Sequence, residues 1–144
     1  MIYVDTSVLV AAITNERQTD DAQRWLAAQP AGELAISDWV TTEVSSALSI
    51  KTRIGRVTPS ERNRALDAFN SLTEQSLVII AVSRSDRLVA ARFSDRHDIG
   101  LRARDALHLA VALRVGAVRH TLDRRLAEGA EHVGVEAHLA LDRR

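Results

Sequence analysis

Ile2-Tyr3-Val4-Asp5-Thr6-Ser7-Val8-Leu9-Val10 decides the fold. Three apolar residues in a row read as a short buried strand, and an acid follows at once. From Ser7 to Asn15 the apolar residues recur at helical spacing. Strand, acid, helix is therefore the first unit. The same grammar returns near the other end, where Val118 to Thr121 reads as a strand, Asp123 follows, and Arg124 to Glu128 reads as a short helix.

Between these units the alternation continues. Thr19-Asp20-Asp21 caps a helix through Ala28, stopped by Pro30 and Gly32. Leu34 to Ile36 is a second strand. A long helix runs from Asp38 to Arg53 and ends at Gly55. Thr58 and Pro59 open another as N-cap and first helical residue. Leu77 to Val82, continuous and rich in branched residues, predicts a strand covered on both faces. Ser85 to Arg96 and Ala103 to Val115 are helical, the latter ending at Gly116, and Val133 to Val135 is expected as the last strand. Strands alternating with helices imply an α/β fold, a mostly parallel sheet of four or five short strands between helical layers. The expected organisation is a single domain, 1–144, without repeats or linkers.

Composition narrows the function. The chain has 144 residues, 46% hydrophobic and 26% charged, which is ordinary for a globular domain. With no cysteine, disulfides and thiolate metal sites are excluded. No apolar run reaches the ~20 residues that span a bilayer, and no signal-peptide pattern opens the chain, so a cytoplasmic protein without a membrane role is expected. Net charge is zero, which argues against a generic nucleic-acid coater. Arginines nevertheless crowd the second half, and Arg102, Arg104 and Arg124 are candidates to hold a phosphate backbone.

Four acids stand out. Asp5 and Asp123 follow strands, where α/β folds carry their chemistry, although each also suits a helix N-cap. On a helical wheel with Trp39 at 0°, Glu43 falls near ~40°, inside an apolar arc that includes Val40, Val44 and Ala47. A carboxylate facing a core must be paired or bind a metal. Asp105 opens a helix that is apolar around most of its circumference, where the helix dipole also favours an anion. His108, one turn on, reads as a packed core histidine. An acid-only set suits Mg²⁺ or Mn²⁺ better than zinc. The expectation is that the four side chains converge and share the ion. Four clustered carboxylates would repel, so neutralising one should stabilise the metal-free fold.

Other acid-bearing folds fit poorly. A receiver-type phosphoacceptor domain needs a lysine after a late strand, and the only lysine is Lys51. The glycines are too dispersed for a dinucleotide turn. An aspartyl phosphatase wants an acid two residues after the first, where Ser7 stands.

Val4-Asp5-Thr6-Ser7-Val8-Leu9, Glu43 with Val44 and Ala47-Leu48, Leu101-Arg102-Ala103-Arg104-Asp105-Ala106-Leu107-His108-Leu109-Ala110, and Thr121-Leu122-Asp123-Arg124-Arg125-Leu126-Ala127 together resemble the PIN-domain nucleases. More narrowly they resemble VapC-type toxins of toxin–antitoxin pairs. The resemblance implies Asp5, Glu43, Asp105 and Asp123 as the catalytic acids and metal ligands, with Thr6 and Thr121 behind them. It implies an endoribonuclease using Mg²⁺ or Mn²⁺, an RNA substrate cut to leave a 5′-phosphate, frequent homodimers, and a VapB-type antitoxin partner. The competing reading is an inactive module whose acidic pocket docks a basic peptide. Ser37-Asp38-Trp39 matches none of these motifs and is a candidate for partner specificity.

Overall fold

The computed structural model describes residues 1–141, so 142–144, the tail of the expected 1–144 domain, lie outside the described residues. In chain order the elements are β1 (Ile2–Val4), α1 (Thr6–Ile13), α2 (Thr19–Ala27), β2 (Leu34–Ser37), α3 (Trp39–Arg53), α4 (Pro59–Gln75), β3 (Val78–Ile80), α5 (Arg84–Ser94), α6 (Ala103–Val115), β4 (Val118–Thr121), α7 (Arg124–Glu131) and β5 (Ala137–Leu139). The five strands are all parallel, in the order β3-β2-β1-β4-β5. The chain moves outward from β1 through β2 to β3, then returns to lay β4 on the other side of β1. This reversal opens a crevice beyond the carboxyl ends of β1 and β4, the place where ligands bind in such sheets.

Side-chain alternation divides the core. Val4, Leu34 and Ile36 face one way, against Val8, Leu9, Val40, Val44, Leu48 and Phe69 of α1, α3 and α4. Tyr3 faces the other way, against Leu109, Val111, Leu126 and Ala130 of α6 and α7. Ala90, Ala106 and Ala110 let α5 and α6 pack closely on that side. The result is helix, sheet, helix. Among the described residues no helix is long and apolar enough to cross a membrane.

Helix punctuation follows local chemistry. Thr58 and Glu61 form a capping box before α4, with Pro59 in its first turn. Gly116 closes α6 at φ 63°, a left-handed conformation that favours glycine. Four expectations need correction. Residues Leu77 to Val82 give a strand only over Val78–Ile80, at the sheet edge, with Val78 40% and Ile79 47% exposed. An apolar run does not tell an edge strand from a central one. Val133 to Val135 is no strand: Gly134 turns there at φ 75° while Val135 inserts into the core, and pairing begins at Ala137. The preceding helix extends past Glu128 to Glu131, running through Gly129, where a Cβ would meet Leu101 Cδ2 at 3.0 Å. The second helix starts at Thr19 without a side-chain cap, since Thr19 Oγ1 instead donates to Thr14 O.

Candidate active site

Asp5 leaves β1 in extended conformation, and its backbone N–H still donates to His120 O of β4 at 2.9 Å. The strand thus aims its carboxylate at the crevice. Oδ2 accepts from Ser7 N at 3.1 Å, from Ser7 Oγ, and from Thr121 Oγ1 at 3.1 Å. Oδ1 accepts from Arg119 Nη2. Asp5 is therefore a helix cap and a site carboxylate together. Burial alone would raise its pKa, but the charges of Arg119 and His108 and the Ser7 hydrogen bonds hold it at about 2.

Glu43 projects from the inner face of α3, as its wheel position requires. Thr6 Oγ1 donates to Oε2 at 2.6 Å, and His108 Nε2 lies 2.6 Å from the same oxygen. Burial works against its ionised form. The hydrogen bond and charge of His108, with Thr6, outweigh burial and leave the pKa lowered. Behind it, His108 Nδ1 lies 2.7 Å from Tyr3 Oη, whose hydroxyl donates to Ser37 Oγ at 2.8 Å. This chain from Ser37 through Tyr3 and His108 to Glu43 escaped the sequence, where His108 had seemed plain core. Two polar residues inside the apolar arcs of neighbouring helices were the available signal.

Asp105 sits in the first turn of α6, with Arg104 Nε 3.4 Å from Oδ1. Its pKa is raised, first by desolvation and further by the charge of Asp5, against the pull of Arg104, Arg119 and His108. Asp123 caps α7, Oδ1 accepting from Arg125 N at 2.9 Å and Leu126 N at 3.2 Å.

All four acids line one cavity of about 350 Å³, with Thr6, Arg104 and His108 in its wall. Thr121 reaches it through Asp5. Arg102 and Arg125 line an adjoining cleft beside Asp105 and Asp123, and Arg124 lines another that shares Gln18 and Leu122 with the acidic cavity. The donor chemistry fits a hard cation such as Mg²⁺. As the side chains stand, among the described residues no three His, Cys, Asp or Glu form a ready chelate. Protein donors occupy much of the carboxylate set instead.

The sequence model of the PIN domain matches residues 2–131. The chain belongs to the PIN-domain family. Solved structures agree with this PIN domain in fold. PAE2754 from Pyrobaculum aerophilum is 26% identical, with a TM-score of 0.67, covering 94% of this chain and 82% of that one. VapC20 from Mycobacterium tuberculosis, described as a sarcin–ricin-loop-cleaving toxin, is 20% identical, with a TM-score of 0.70 and coverage of 94% and 96%. A toxin–antitoxin complex from Klebsiella pneumoniae contains a chain 18% identical, with a TM-score of 0.67 and coverage of 99% and 100%. No curated protein sequence matches this PIN domain.

Proposed function

We propose that this PIN domain is an endoribonuclease dependent on Mg²⁺ or Mn²⁺, acting as the toxin of a type II toxin–antitoxin pair in the cytoplasm. One observation carries the reading: carboxylates 118 positions apart at the extremes, Asp5 and Asp123, line the same cavity as Glu43 and Asp105. Family membership and the toxins among the structural relatives support it.

In this reading Asp5, Glu43, Asp105 and Asp123 hold the ion directly or through water. The ion supplies charge neutralisation at the phosphate and an acidified water for attack at phosphorus. Thr6 and Thr121 orient Glu43 and Asp5. Arg104 at the cavity, with Arg102 and Arg125 in the adjoining cleft, bind backbone phosphates of the RNA. Arg124, in the cleft that meets the cavity at Gln18 and Leu122, is a further candidate for the same role.

An antitoxin and a second copy are the proposed protein partners. The candidate surface is a cleft of about 800 Å³ lined by Asp38, Trp39, Val82, Arg87 and Leu107. Ser37 takes no part, being buried and bonded to Tyr3.

The deciding experiment measures RNA cleavage with Mg²⁺, with EDTA, and by Asp105→Asn. Cleavage only by the wild type with metal is expected. Undiminished cleavage in EDTA rejects the metal. One observation favours a second reading, an inactive module docking a basic peptide: the carboxylates already have protein donors. No Mn²⁺ uptake by calorimetry and no cleavage would select it.

A further inference from the structure

Arg119 lies inside β4, and none of its surface is exposed. Register sets it beside Tyr3, with the guanidinium 5.7 Å from the centre of that ring. A buried charge is tolerable only when paired. Its ion-pair partner is Asp5, reached through Nη2. Among the described residues Nε and Nη1 have no hydrogen-bond partner. The guanidinium therefore holds Asp5 chiefly through charge and one contact, where a closed fork would use several donors. Asp5 Oδ2 is already taken by Ser7 and Thr121, so Oδ1 is the oxygen that an incoming cation would seek.

We propose that Arg119 is a resident counter-ion that competes with a divalent cation for Asp5, setting how tightly the acidic cavity takes up metal. It rests on the metal reading above. A positive charge fixed beneath the cavity repels a second cation and occupies the oxygen that would bind it. The same charge lets the acidic cluster assemble without metal. Arg119 is thus a positioning residue, acting through Asp5.

Mn²⁺ titration calorimetry and thermal melting, in EDTA and in Mn²⁺, test this on the wild type, Arg119→Met and Arg119→Lys. Methionine keeps an unbranched apolar stem without charge. Arg119→Met should bind Mn²⁺ about tenfold more tightly, the scale at which groups behind a metal ligand act. Its melting temperature should rise more on adding Mn²⁺ than the wild type's, and Arg119→Lys should stay near the wild type. Equal Mn²⁺ affinity in Arg119→Met and wild type overturns the competition. If Arg119→Met does not fold, Asp5→Asn with Arg119→Met decides through melting in EDTA. Removing both charges should restore stability lost in Asp5→Asn alone, and a double variant melting no higher overturns the counter-ion role. No Mn²⁺ uptake by the wild type ends the metal reading itself, and the competition with it.

Discussion

His108 Nε2 lies 2.6 Å from Glu43 Oε2, joining α6 to α3 at the wall of the acidic cavity. Tyr3 anchors the other side of the imidazole and is itself bonded to Ser37 of β2. A strand from the sheet centre thus fixes a carboxylate on a helix. His108→Leu leaves Glu43 with Thr6 alone and strips the Tyr3 hydroxyl of one partner, at a cost of ~1–3 kcal/mol. Cleavage should fall as well, because Glu43 is then free to turn. Tyr3→Phe should cost a similar ~1–3 kcal/mol but lose less activity, since the His108 to Glu43 contact remains. Urea unfolding and cleavage rates on both variants check this. Wild-type cleavage by His108→Leu would remove the positioning role.

Neutralising two acids of the same cavity should have opposite effects on stability. Mutual repulsion alone predicts that losing any one carboxylate stabilises the metal-free fold. For Asp5 the structure reverses this. Asp5→Asn leaves the guanidinium of Arg119 buried without its ion pair, a loss of ~3–5 kcal/mol. Asp105 has no such obligation: desolvation and Asp5 disfavour its charge, while its own salt-bridge partner, Arg104, is largely exposed. Asp105→Asn should therefore stabilise the metal-free protein by ~0.5–2 kcal/mol while abolishing cleavage. Melting in EDTA separates the two, and a fall in both variants would refute the assignment for Asp105.

Stability should also depend on pH in a way that traces to these residues. Asp5 has a folded pKa of about 2, below the ordinary carboxylate value of ~3.9. A depressed pKa means that its contribution is present above pH ~4 and is lost as pH falls towards ~2. The loss is on the order of 2 kcal/mol. Asp105 works in the opposite sense. Its raised pKa favours the protonated fold, so stability falls as pH rises through and above the ordinary carboxylate range. Chemical denaturation between pH 2 and 7 should show the acid-side loss in wild type and Asp105→Asn, and a flatter acid side in Arg119→Met. An unchanged acid side in Arg119→Met would detach it from Asp5.

What the sequence disclosed was local. The units around Asp5 and Asp123 could be read because strand, acid and helix follow each other within a few residues. Glu43 could be read because one helix supplies its own reference frame. Arg119 could not be read. In Val118-Arg119-His120-Thr121 it passes for one polar residue among others, and its meaning depends on the β1 to β4 register and on an acid 114 positions away. The edge status of β3 was likewise hidden, since strand order is a property of the sheet and the run Val78-Ile79-Ile80 is equally apolar in either place. The sequence left cap and ligand as alternatives for Asp5 and Asp123. The geometry joins capping to a place in the cavity wall, because a helix that starts at a strand end puts its cap in the crevice.

Asp123 allows those two duties to be separated. Its Oδ1 satisfies two N–H groups at the start of α7, while its carboxylate charge faces the cavity. Asp123→Ala removes both and should cost ~1 kcal/mol through the lost cap. Asp123→Ser retains a capping oxygen without the charge, so its stability should stay within ~0.5 kcal/mol of the wild type. Cleavage should nevertheless drop in both variants, and in Asp123→Ser without a matching change in melting temperature. Full cleavage by Asp123→Ser, with activity lost in Asp123→Ala only in step with unfolding, would make Asp123 a helix cap and nothing more.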